Sequence, residues 1–133
     1  MKRVLLLALC LAMIGCATKA YQVHPGAGGY VSGTPTTAQL FDSQSYDTLS
    51  ATDALIQQTR ADYQANKFPT SAMPTIRIAF NALTTAYDGA QASWLAYDGA
   101  LKTGQTPSQA ALQAALAAMQ SAVTQLTTAK GAK

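Results

Sequence analysis

Two cysteines, one histidine and six acidic residues, all aspartate, are the side chains of this 133-residue chain that most readily supply a metal ligand, a thiolate nucleophile or a carboxylate acid–base pair. They do not assemble into a site. A metal centre needs three or four ligands, and a catalytic triad needs a nucleophile, a base and an orienting group. His24 is the sole imidazole and stands in a stretch rich in glycine and proline, where it reads as a solvated linker residue. Cys10 sits in an apolar run after Leu9, and Cys16 follows Met13-Ile14-Gly15. The pentapeptide AYDGA occurs at 86–90 and again at 96–100, offering Asp88 and Asp98 as paired carboxylates. Ten residues turn a helix by ~280° net and advance it by ~15 Å, so the two share neither a face nor a proton, and both are expected in solvent. No glycine loop leads from a strand to cradle a phosphate. The expectation is a protein that is not an enzyme, with no catalytic residue, no cofactor and no metal.

The residues that carry the most information are the first sixteen. Lys2 and Arg3 make a short positive start, and Val4 to Gly15 then run without a charge up to a cysteine. This is the layout of a secretory signal. As a helix the run reaches ~18 Å against a hydrocarbon core of ~30 Å, too short for a permanent span, so residues 1–15 read as a cleaved helical signal peptide. Met13-Ile14-Gly15-Cys16 resembles the lipobox of bacterial lipoproteins, with Met13 and Ile14 where leucine and a small residue are usual. The resemblance implies cleavage before Cys16, with the thiol of Cys16 joined to diacylglycerol. The alternative is ordinary cleavage near Cys16 and release of a soluble protein. Ala17, rather than aspartate, after the cysteine resembles the pattern sent to the outer membrane where the host has two membranes, which would place the protein in the periplasm-facing cell envelope. Acyl chains contribute ~0.8 kcal/mol per buried methylene, so several on one residue anchor a protein without any transmembrane helix.

Removing the leader alters the charge balance. Seven cations remain, Lys19, Arg60, Lys67, Arg77, Lys102, Lys130 and Lys133, against the six aspartates, so the net charge falls from +3 to +1. Scattered cations at this balance leave no electrostatic footprint for nucleic acid. Cys10 leaves with the leader, and an acylated Cys16 leaves no thiol for a disulfide or a redox couple. Packing has to supply the stability.

Residues 16–41 read as a lipidated N-terminus followed by a flexible tether, with glycines and prolines crowded between Pro25 and Gly33 and no helical period. Three helices are expected beyond it, over about 42–67, 72–102 and 107–129. Asp42 is the expected cap of the first, with Thr34 before Pro35 as a rival start. Leu49, Ile56 and Tyr63 recur every seven residues with Thr52 and Thr59 between them, giving an inward stripe that is partly polar. Pro69 and Pro74 end that helix, and Thr70 or Ser71 caps the next. In the second helix Ile76, Phe80, Leu83, Tyr87, Ala90, Trp94, Tyr97 and Leu101 alternate steps of four and three, the period of a seam in an up-and-down bundle. Asp88-Gly89 is a place where that rod could kink or split. Gly104 closes it, and Thr106-Pro107-Ser108-Gln109 has the form of a capping box opening the third helix, whose stripe is Leu112, Leu116, Met119, Val123 and Leu126. Short connections make consecutive helices antiparallel. The expected fold class is all-α, an up-down-up three-helix bundle behind a signal peptide and linker.

These readings lead to a membrane-anchored, non-enzymatic structural or protein-interaction module of the bacterial cell envelope. Its expected partners are the membrane, through the lipid, and an envelope protein or a second copy of the chain. Two other readings stand beside it. The terminal Lys133 resembles the lysine by which Braun-type lipoproteins are joined to peptidoglycan, although those are single long helices. A cavity among Phe80, Tyr87, Trp94 and Tyr97 would make the bundle a carrier of a small apolar ligand.

Overall fold

A computed structural model describes residues 35–131. The signal peptide, Cys10, Cys16, His24, most of the tether and Lys133 lie outside the described residues. Three helices occupy most of the rest: α1 (Thr37–Gln64), α2 (Met73–Lys102) and α3 (Ala110–Gly131).

α1 starts five residues before the position expected from Asp42, which moves the tether's end from residue 41 to 36. The cap is Thr36, whose Oγ1 accepts a hydrogen bond from the Gln39 amide at 3.2 Å while the Gln39 side-chain oxygen accepts from the Thr36 amide at 2.9 Å. This reciprocal box satisfies two amides that the first turn leaves free. Asp42 is instead a buried residue within the helix. α1 ends at Gln64 rather than near Lys67, before either proline has any effect. Asn66 takes φ 52°, and the amides of Asn66 and Lys67 donate back to the carbonyls of Tyr63 and Asp62. That is the paired bond of a left-handed C-terminal cap, with asparagine in the place usually held by glycine.

The same cap closes α2 at Gly104, with φ 74°, where the amides of Gly104 and Gln105 donate to the carbonyls of Leu101 and Ala100. At its start α2 has Ala72 as cap with no side-chain hydrogen bond, so neither Thr70 nor Ser71 plays the expected part; Pro74 supplies pre-set backbone geometry in the first turn. α2 runs unbroken through Gly89 and Gly99. α3 begins at Ala110, three residues later than expected, because the Thr106–Gln109 box does not form. Gln109 turns its side-chain amide to the Tyr97 hydroxyl at 3.5 Å, and Ser108 Oγ accepts from the Ala110 amide at 3.4 Å instead.

Cross-contacts set the topology. Tyr46 meets Trp94 and Arg60 meets Phe80, so α1 and α2 are antiparallel. Gln109 meets Tyr97, so α3 turns back along α2. Lys130 near the end of α3 meets Thr59 near the end of α1. The up-down-up three-helix bundle is the observed fold.

The core is Leu49 and Ile56 from α1, Ile76, Ala79, Leu83 and Ala90 from α2, and Met119, Ala122, Leu126 and Ala129 from α3. The 3.5-residue seam of α2 thus faces inward, with Phe80, Tyr87 and Trp94 packed half-buried at its edge. α3 adds Ala122 and Ala129 to its expected stripe, while Leu116 and Val123 are only half-buried. Alanines at the contact let helix axes approach closely. On α1 the inward stripe is Asp42, Ser45, Leu49, Thr52, Ile56 and Thr59, stepping by three and four, and Tyr63 departs from it at 40% exposure.

Leu83 has no exposed surface, and Leu83→Ala should cost about 2–5 kcal/mol in a denaturant titration, since the cavity cannot fully collapse. Gly89→Ala should act oppositely and stabilise by about 0.5–1 kcal/mol, because a new Cβ there meets nothing within 4 Å and glycine is a poor helix former.

Candidate functional site

Two groups of polar and aromatic side chains border the core. The first gathers around Asp62, where the far ends of α1 and α3 meet the loop into α2. Asp62 Oδ1 accepts from Lys67 Nζ at 3.0 Å and from Gln58 Nε2 at 2.9 Å. Lys130 Nζ lies 3.8 Å from Asp62 Oδ2, donates to Thr59 Oγ1 at 3.3 Å and stands 5.7 Å from the centre of the Phe68 ring. Lys130 has its chain stem against the bundle and its ammonium between a carboxylate and a ring face, both attractive to a cation. The hydrogen bond from Lys67 is the main reason that the Asp62 carboxyl is held below its ordinary pKa; desolvation opposes it, and Gln58 and the charges of Lys67 and Lys130 add to it. This cluster fastens three chain segments.

The second group lies along the α1–α2 face. Tyr46, Asp53 and Arg60 recur every seven residues on α1, and Phe80, Tyr87 and Trp94 do so on α2. They meet rung by rung. Tyr46 and Trp94 have ring centroids 5.2 Å apart, and the Arg60 guanidinium is 6.0 Å from the centre of the Phe80 ring. Between them Tyr87 is raised above its ordinary pKa, chiefly because burial disfavours the phenolate and then because the carboxylates of Asp53 and Asp88 repel it, with a smaller contribution from Tyr46. At the end of this face Thr59, Arg60, Tyr63, Gln64, Ile76, Arg77 and Phe80 line a cavity of about 310 Å3, open to solvent on one side and almost wholly apolar.

The carboxylates of the repeated pentapeptide part company. Asp88 is exposed as expected. Asp98 is not: at 7% exposure it is buried, and its Oδ2 pairs with Lys102 Nζ one turn on. The ~280° turn over ten residues sets Asp98 on the packed flank of α2 while Asp88 faces solvent, and a lysine four residues later supplies the charge that burial requires. The aromatic set divides too. Tyr97 is 3% exposed, with its ring edge-on to Phe41 at 5.4 Å, and Trp94 lies against Tyr46. Of Phe80, Tyr87, Trp94 and Tyr97 only Phe80 lines the cavity. The Trp94 Nε1–H is buried with no acceptor among the described residues. That lost hydrogen bond costs about 1–3 kcal/mol, offset by packing of the large ring.

Among the described residues no group of three or more His, Cys, Asp or Glu side chains is placed to hold a metal ion, and no helix is long and apolar enough to cross a membrane. Sequence reasoning did not single out Arg60 or Arg77 as site residues. The signal was there in the seven-residue spacing of Tyr46, Asp53 and Arg60, which runs beside the buried stripe. No known protein family, no curated protein and no solved structure matches this chain.

The depressed pKa of Asp62 fixes the sign of a pH effect. A carboxyl whose folded pKa lies below its unfolded value stabilises the fold above about pH 4, and that contribution is lost as the pH falls through the folded pKa. Denaturant titrations should show Asp62→Asn less stable than wild type at pH 7, with the gap closing as the pH approaches 2. A gap independent of pH would mean that the charge of Asp62 has no part in holding the ends together.

Proposed function

We propose that the protein is a lipid-anchored, non-enzymatic structural or protein-interaction module of the bacterial cell envelope. The observation that carries this reading is the order of the first sixteen residues: a basic start, an uncharged apolar run and a small residue before Cys16. Acylated at that sulfur, the mature chain is held at a membrane surface by its lipid, and at an outer membrane it faces the periplasm. Residues 17 to 36 then join the anchor to the helical unit.

The bundle supports the interaction part of the reading. Its polar clusters bind one another, Asp62 to Lys67 and Lys130, Asp98 to Lys102. Among the described residues the large apolar side chains that face outward are Leu40, Tyr63, Ile78 and Leu95, with Ile78 at 71% and Leu95 at 56% exposure. Apolar side chains left in water are the ones that a partner's surface gains by covering. Helical modules recognise partners through such faces and the grooves beside them.

Mass spectrometry of the N-terminus of the protein taken from its host, with crosslinking in intact cells, tests the proposal. The mature chain should begin at Cys16 and carry diacylglycerol, and Cys16→Ser should abolish the modification. A mature protein that begins elsewhere, unacylated and freely soluble, would overturn it.

A further inference from the structure

The charges on the α1–α2 face take no part in the bundle's ion pairs, although Gln57 Nε2 donates to Asp53 Oδ1 and Arg60 donates to Gln57 Oε1, each at 3.4 Å. Lys67, Lys102 and Lys130 are each within ion-pair distance of an aspartate. Arg60, Arg77, Asp53 and Asp88 form no ion pair among the described residues, and three of them, Arg60, Arg77 and Asp88, are exposed. They also sort by sign along the face. Asp53 and Asp88 both stand near enough to Tyr87 to disfavour its phenolate, which makes an acidic step. Arg60 and Arg77 both line the apolar cavity, which makes a basic step.

The spacing of the two steps is the same seen from either helix. On α1 the point midway between Asp53 and Arg60 lies beside Ile56. On α2 the point midway between Arg77 and Asp88 lies beside Leu83. The antiparallel rungs Tyr46 with Trp94 and Arg60 with Phe80 bring these two midpoints to one level of the bundle, where Ile56 and Leu83 belong to the same core. A two-fold axis through that level, perpendicular to the helices, therefore lays both acids on both arginines at once. A closed symmetric pair of this kind needs a surface complementary to itself.

We propose that the α1–α2 face is a self-docking surface on which two copies of this chain meet antiparallel, Asp53 and Asp88 of each facing Arg60 and Arg77 of the other. The same operation brings Tyr87 of the second copy to the level of the cavity lined by Ile76 and Phe80, so an aromatic ring stands opposite apolar surface between two guanidinium groups. Exposed ion pairs alone contribute little, and the partly exposed rings of Phe80 and Tyr87, brought to one level across the axis, add apolar area that they lack. The charges then set register and exclude the parallel arrangement, in which like would face like. The N-terminal 41 residues contain no aspartate or glutamate, so they hold no carboxylate for the two arginines, whereas a second copy does. The inference stands whether or not Cys16 is acylated.

Sedimentation velocity on the full chain, in detergent where it carries lipid, tests the proposal with two charge-reversed proteins, Arg60→Asp with Arg77→Asp and Asp53→Arg with Asp88→Arg. Wild type should dimerise with an affinity that falls as salt rises, since exposed charges are screened within ~10 Å at 0.1 M. Each reversed protein alone should associate at least about tenfold more weakly, because like charges then face one another. A one-to-one mixture of the two should recover dimers, with acidic and basic copies paired. Circular dichroism confirms that each variant keeps its helices, and a pair that does not is replaced by the neutral variants Arg60→Gln with Arg77→Gln, which should weaken the wild-type dimer. A wild type that stays monomeric, dimers indifferent to the reversals, or a mixture that stays monomeric would each overturn the proposal.

Discussion

The packing of this bundle depends on satisfying the hydroxyls that α1 turns inward. Four of the six residues on its buried stripe are polar, Asp42, Ser45, Thr52 and Thr59. A hydroxyl taken from water without a partner costs more than the contact around it returns. Ser45 donates to the Phe41 carbonyl at 2.7 Å and Thr52 to the Thr48 carbonyl at 2.9 Å, so α1 uses its own backbone one turn back as the acceptor. Thr59 is met from the other side of the bundle, by Lys130. With these bonds made, the stripe can lie against Ile76, Leu83 and Leu126 with only Leu49 and Ile56 as apolar payload.

That arrangement divides the labour among the helices. α2 packs closely on α3, with Ala79, Ala90, Ala122 and Ala129 among the buried residues of the pair, and α1 adds to this pair along its aromatic edge. Phe41 against Tyr97, Tyr46 against Trp94 and Arg60 over Phe80 spread along most of the length of α1, and the Asp62 cluster holds its far end to α3 and the following loop. A helix with a polar inner stripe is thus held as much by its edges as by its centre. Arg60 belongs both to that edge and to the outer face, so the contact that helps seat α1 on α2 also determines where this charge stands.

The existence, order and direction of the helices were legible from periodicity, and so was the inward seam of α2, whose steps of four and three leave one side of the helix apolar. The helix ends were less so. The capping pattern of a threonine followed three residues later by a glutamine occurs at Thr36 and at Thr106, and only the first forms. Gln109 differs from Gln39 in having the Tyr97 hydroxyl within reach, a partner that belongs to another helix and is invisible in the local sequence. Asn66 closes α1 because its short amide side chain tolerates the left-handed backbone, whereas the prolines that drew attention lie beyond the helix end. Asp98 reads as a surface residue from the ten-residue repeat, and burial reverses this because Lys102 is placed to pair with it.

By itself the sequence determined the chain's composition and its periodicity: it holds no glutamate and a single histidine, and its periodic apolar residues specify helices that must bury one side. Those are properties of composition and local geometry, so no partner helix is needed to read them. Only the tertiary structure decided which aspartates are spent on lysines and which remain, and that Asp53 and Asp88 form one step of a face while Arg60 and Arg77 form the next. The reason is that a charge's environment is set by the side chains that antiparallel packing brings beside it, residues distant in sequence whose rotation about their own helices fixes what they meet.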